Sequence, residues 1–124
     1  MNAKTAKTIV HRYFQRLLNE RDVSVCDELL TPGYVDHDAP AHIATGPDST
    51  KTFVTTFLDE YPDMHVQVFD LVAEANKVAA RIVWQGTHRV NGAPLHQMGI
   101  VIIHLNEQGQ FTERWSAYTS LTKS

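Results

Sequence analysis

The hydrophobic rhythm of this chain changes once, at Met64, and that change sets its fold class. Before Met64 apolar residues recur at intervals of three and four; after it they alternate with polar ones. Ala6, Ile9, Val10, Tyr13, Phe14, Leu17 and Leu18 share one stripe of a long opening helix. Asp22 is placed to cap a short second helix, and Thr31-Pro32-Gly33 is expected to stop it. Tyr34 to His37 read as a brief extended piece. Gly46-Pro47-Asp48 opens a third helix with the stripe Phe53, Val54, Phe57, Leu58 and Tyr61, which Pro62 ends.

From Met64 onward a period of two predicts long strands at residues 65–73, 78–88, 96–105 and 111–120. Ala75-Asn76 and Asn106-Glu107-Gln108-Gly109 are short turn-forming links, so consecutive strands should pair antiparallel, while Asn91-Gly92 sits in a somewhat longer loop. Helices followed by a long antiparallel sheet make an α+β domain spanning residues 1–124, with the helices covering one sheet face. Long strands curl, and a curled sheet capped by helices encloses a hollow.

Composition narrows the partners. Eleven Lys and Arg against fourteen Asp and Glu give a net charge of -3, which offers no footprint for a nucleic-acid backbone. The longest uninterrupted apolar run, residues 99–103, is too short for a membrane span, and no apolar leader follows Lys4 and Lys7. The lone Cys26 lies among Val23, Val25, Leu29 and Leu30, as a buried thiol would in a reducing compartment. The expected location is the cytoplasm.

Several strings stand in order along the chain: Asn19-Glu20-Arg21-Asp22, the stretch 27–38 (DELLTPGYVDHD), Gly46-Pro47, Tyr61-Pro62-Asp63, Asp70-Leu71-Val72-Ala73-Glu74, Gly86-Thr87-His88 and Glu113-Arg114-Trp115. Together they resemble the SnoaL-like polyketide cyclases of the nuclear transport factor 2-like superfamily. The resemblance covers nearly the whole chain. It implies a cone-shaped barrel of curved antiparallel sheet covered by three N-terminal helices, a pocket for a small, largely apolar or polyketide-like molecule, frequent dimerisation, and in some members aldol ring closure without metal or organic cofactor. It also implies an acidic residue after the Glu-His-Trp-like string, and here Ser116 stands at that position.

His37, between Asp36 and Asp38, and His104 are the candidate acid/base residues, because a neutral imidazole can take or give a proton near neutral pH. With Leu105 opposite Phe111, strict alternation puts His104, Thr112, Arg114, Ser116 and Tyr118 on one face with Met98, Ile100 and Ile102, and that face is expected to line the pocket; a one-residue slip would reverse this. Trp84 is expected in the core or at the ligand. The other face, with Val101, Ile103, Leu105, Phe111 and Trp115, is expected to pair two copies into a homodimer. Asp36, His37, Asp38 and His42 lie near one another but match no metal signature, so no metal is expected. Two Arg–acid sets, Arg114 or Arg81 with Asp36, Asp38 or Asp70, leave a hydrolase-type site open. Three readings stand: a cofactor-free cyclase, isomerase or hydrolase, a catalytically silent binding protein of the same fold, and a protein-association domain that uses the fold only for dimerisation.

Overall fold

The computed structural model describes residues 1–40 and 45–121. Helix α1 (Ala3–Phe14) begins where the Asn2 side chain accepts the Thr5 backbone N–H, and it runs without a break into a π-helical turn, Gln15–Asn19, closed by Glu20 N–H on the Gln15 carbonyl at 3.0 Å. The wider turn lets the consecutive Leu17 and Leu18 both be buried. It also delivers Asn19 to the sheet, where its side-chain amide both donates to and accepts from the backbone of Val66 at 2.8 Å. A side chain thus stands in for a neighbouring strand there. Arg21 bonds the carbonyls of Pro62 and Met64, and Asp63 accepts the Thr87 N–H at 2.7 Å. Two of the family-like strings, Asn19–Asp22 and Tyr61–Asp63, therefore hold the scaffold together.

Helix α2 (Ser24–Leu29) ends before Thr31-Pro32-Gly33, and strand β1 (Leu30–Asp36) runs through that triplet. Proline is tolerated because β1 is an edge strand and its register shifts between Leu30 and Val35. Helix α3 spans Pro47–Glu60. The remaining strands are β2 (His65–Glu74), β3 (Lys77–Thr87), β4 (Pro94–Leu105) and β5 (Phe111–Ser120), within a few residues of the sequence expectation. The sheet order is β1-β5-β4-β3-β2, antiparallel except for the parallel β1–β5 pair. This curved sheet stays open, so the barrel is not closed. Among the described residues no helix is long and apolar enough to cross a membrane.

One irregularity decides which residues face inward. Leu105 does oppose Phe111, but His104 opposes Glu113, so Thr112 is an extra residue, a β-bulge. Its hydroxyl bonds the His104 carbonyl at 3.2 Å. Beyond the bulge Arg114, Ser116 and Tyr118 pair with Ile103, Val101 and Gly99, not with the even-numbered residues of β4. The inner face thus carries Val101, Ile103, Leu105 and Phe111 with Val78, Ala80, Ile82 and Trp84, all buried under Val10, Tyr13, Phe14, Leu17 and Leu18. Phe111 packs edge-on to Tyr13 with ring centroids 4.7 Å apart. Met98, Ile100, Ile102 and His104 face outward, which corrects the expectation from strict alternation.

Candidate functional site

Between the helices and the inner face lies a cavity of about 570 Å³, within the range of small-molecule sites. Tyr13, Phe14, Leu17 and Leu18 from the opening helix wall one side; Phe53, Val54 and Phe57 from α3 wall another. Trp84 closes the sheet side, edge-on to Phe57 at 5.4 Å and to Tyr118 at 5.8 Å. The Tyr118 ring lies on Gly99: a Cβ at that position would collide with it. Phe53 and Tyr118 are half exposed.

The polar lining gathers where β1 meets β5: Asp36, Asp38, Arg114, Ser116 and Tyr118. Asp36 stands beside Arg114 in the parallel register. The Arg114 Nη2 donates to Tyr118 Oη at 2.6 Å, and its Nε is buried with no hydrogen-bond partner among the described residues. No carboxylate among the described residues comes within ion-pair distance of this guanidinium. Burial works against its charge, but Tyr118, Tyr34, Tyr13 and Asp36 together outweigh it and hold the group firmly protonated. Two other wall residues carry buried polar atoms with no partner among the described residues, Tyr13 Oη and Trp84 Nε1. Burial raises the Tyr13 hydroxyl well above the usual tyrosine range and pushes Tyr34 up to about 12, so both are neutral phenols at physiological pH.

Of the residues singled out from sequence, Trp84, Arg114, Ser116 and Tyr118 line the cavity, whereas His37, Met98, Ile100, Ile102 and His104 do not. Strand alternation explains His37: Tyr34 and Asp36 share one parity on the cavity side, which turns His37 out, while Asp38 lies in the turn beyond β1, exposed at the rim of the cavity it lines. It stacks on Trp115 with centroids 4.5 Å apart, and His104 meets the same indole at 4.8 Å. Both imidazoles approach Glu113, at 3.9 and 3.5 Å. The two histidines are thus together, on the wrong face for the cavity. Arg81 is there too, paired with Asp70 at 2.6 Å and stacked on Phe69, so only the Arg114 set reaches the hollow. Among the described residues no group of three His, Cys, Asp or Glu could hold a metal; His42 lies outside them. Burial raises the Cys26 thiol to about 12, which makes it a poor nucleophile.

Asp36 and Asp38 entered the sequence reading as the carboxylates flanking His37 and as metal or hydrolase candidates. Parity with Tyr34, an aromatic flanked by the apolar Val35, was the signal that would have placed Asp36 at the wall; Asp38, in the turn beyond β1, is placed by its bond to Ser116.

The sequence model of the SnoaL-like polyketide cyclases matches residues 8–123. The chain belongs to that family. Among solved structures, TsrD from Streptomyces laurentii superposes with a TM-score of 0.82 at 22% identity, covering 95% of this chain and 90% of that one. IdmH from Streptomyces antibioticus gives 0.78 at 21% identity and 91% of each chain. A SnoaL-like polyketide cyclase from Agrobacterium tumefaciens gives 0.78 at 19% identity, covering 92% and 91%. At such identities these structures establish the nuclear transport factor 2-like fold. No curated protein sequence matches the chain. Ser116, the residue after Glu113-Arg114-Trp115, lines the cavity with a hydroxyl where the family resemblance implied a carboxylate.

Proposed function

We propose that the cavity binds a small, largely apolar, polyketide-like molecule bearing a carbonyl or enol oxygen, and that the chain acts on it by cyclase- or isomerase-type chemistry that needs no cofactor. The observation that carries this reading is the set of buried polar atoms on a largely apolar wall that have no partner among the described residues: Tyr13 Oη, Trp84 Nε1 and Arg114 Nε. Buried polar groups are nearly always satisfied, and unmet ones inside a cavity of this size are apt partners for ligand oxygen. Arg114 and Tyr118 supply the strongest pull, because a charged donor in a water-poor site stabilises developing negative charge on oxygen.

Native mass spectrometry and thermal-shift titration with aryl ketones and cyclic diketones test it. The expected result is a saturable rise in melting temperature that Arg114→Met lowers at least tenfold in affinity. A panel with no stabilising compound would remove the reading. A silent binding protein is the second reading, favoured by Ser116 in place of the implied carboxylate; it predicts the same binding without turnover.

The outer sheet face favours a homodimer. Phe69, Val72, Ile100 and Ile102 are 47, 68, 44 and 42% exposed on a face that no helix of this chain covers. Sedimentation at micromolar concentration reading a mass of one 14.0 kDa chain would reject that assembly.

A further inference from the structure

Ser116 leaves β5 without a carboxylate, yet a carboxylate sits beside it. The β1–β5 pairing ends with His37 N–H on the Arg114 carbonyl at 2.9 Å, so the next inward-bonding group of β5, the Ser116 N–H, has no strand partner. Asp38 supplies one: its Oδ2 accepts that N–H at 2.6 Å. The Asp38 backbone N–H in turn donates to Asp36 Oδ1 at 3.1 Å, a turn that fixes the loop. Asp38 Oδ1 accepts no hydrogen bond from the described residues, and Asp38 lines the cavity.

Resting on the reading of the cavity as a ketone site, we infer that Asp38 is the general base of this protein, in the place that residue 116 leaves empty. A carboxylate tied down by one oxygen keeps the lone pairs of the other for a proton. Close by, Tyr118 accepts from Arg114 through its oxygen, which leaves its own proton to donate, and Arg114 brings the positive charge. Base and oxyanion donors thus face one hollow, the requirement for deprotonating carbon next to a carbonyl. Asp38 Oδ1 takes the α-proton; the C–H electrons form the enolate C=C, and the carbonyl oxygen takes the charge beside Arg114 and Tyr118. The enolate carbon then attacks a second carbonyl of the same molecule. A C–C bond forms, and the new alkoxide recovers the proton from Asp38, which returns as carboxylate. No oxidant or reductant is consumed.

Deuterium exchange at the α-carbons of 2-tetralone, followed by proton NMR, isolates the first step, and a thermal-shift titration of the same ketone measures binding. Wild type should exchange faster than buffer. Asp38→Asn, whose amide oxygen still accepts the Ser116 N–H, should fall by roughly 100-fold or more with binding changed less than about threefold. Formate should restore part of the exchange in Asp38→Ala, which a merely structural role would not allow. Wild-type exchange surviving in a folded Asp38→Asn, or ketone binding by wild type with no accelerated exchange, overturns the inference and leaves the binding site standing. Absence of binding across the ketone panel overturns both.

Discussion

The two faces of one sheet have opposite fates, although β4 supplies each with a run of aliphatic side chains. Ile103 is 1% exposed under the opening helix, and its neighbour Ile102 is 42% exposed on the outer face. Inside, the aliphatic residues end in a polar corner of Arg114, Asp38 and Tyr118; outside, they surround Trp115 between two imidazoles. Composition does not separate the faces. Helices are available for only one of them, and a single extra residue, Thr112, determines which side of β5 that is.

Adding a residue beyond the bulge should break the comparison outright. Deleting Thr112 itself leaves Glu113 opposite His104 and Arg114 opposite Ile103, so the faces keep their residues; an alanine inserted between Glu113 and Arg114 instead turns Arg114 and Ser116 outward and drives Trp115 toward the filled core, which should abolish cooperative unfolding. A thermal melt by circular dichroism checks it, and near-parental stability of the insertion variant would mean that a second bulge absorbs the added residue.

A gentler test compares neighbours. Ile103→Ala should cost about 2–4 kcal/mol by opening a cavity, and Ile102→Ala less than about 1 kcal/mol in urea titrations of the monomer. A homodimer through the outer face would make the Ile102 effect grow with protein concentration.

The inner face should also respond to alkali. Burial raises the Tyr34 pKa to about 12, above its value in the unfolded chain, so the stability it contributes is complete below the unfolded pKa and is lost as pH rises through the folded one. Tyr13 moves in the same direction. The loss therefore begins near pH 10, amounts to on the order of 2 kcal/mol for Tyr34 by pH 12, and should be smaller in Tyr34→Phe. Tyrosinate absorbance alongside circular dichroism would show the titration and the unfolding together.

The smallest effect belongs to the outer face. The Arg81–Asp70 pair is solvent-exposed, so Asp70→Asn should change stability by no more than about 0.5 kcal/mol, and by less in high salt.

The strands and helices were legible because period is a local property: the stripe from Ala6 to Leu18 and the alternation after Met64 each reflect one face meeting the core. The parallel β1 was legible only in part: Tyr34 to His37 read as extended, but Pro32 and Gly33 read as a stop and become an irregular edge only because β5 lies beside them. The site was half legible. Trp84, Arg114, Ser116 and Tyr118 line the cavity, while His37 and His104 looked like its chemistry and lie on the other face. Asp38 acquires a function-like setting only through the Ser116 N–H, 78 residues away in the chain.

By itself the sequence determined the family, the order of helices and strands, and the presence of a covered, curved sheet, because hydrophobic period and turn chemistry act over a few residues. Tertiary structure decided which face of that sheet is inside. Strand faces alternate with a period of two, so one bulged residue, invisible in the pattern, reverses every assignment beyond it.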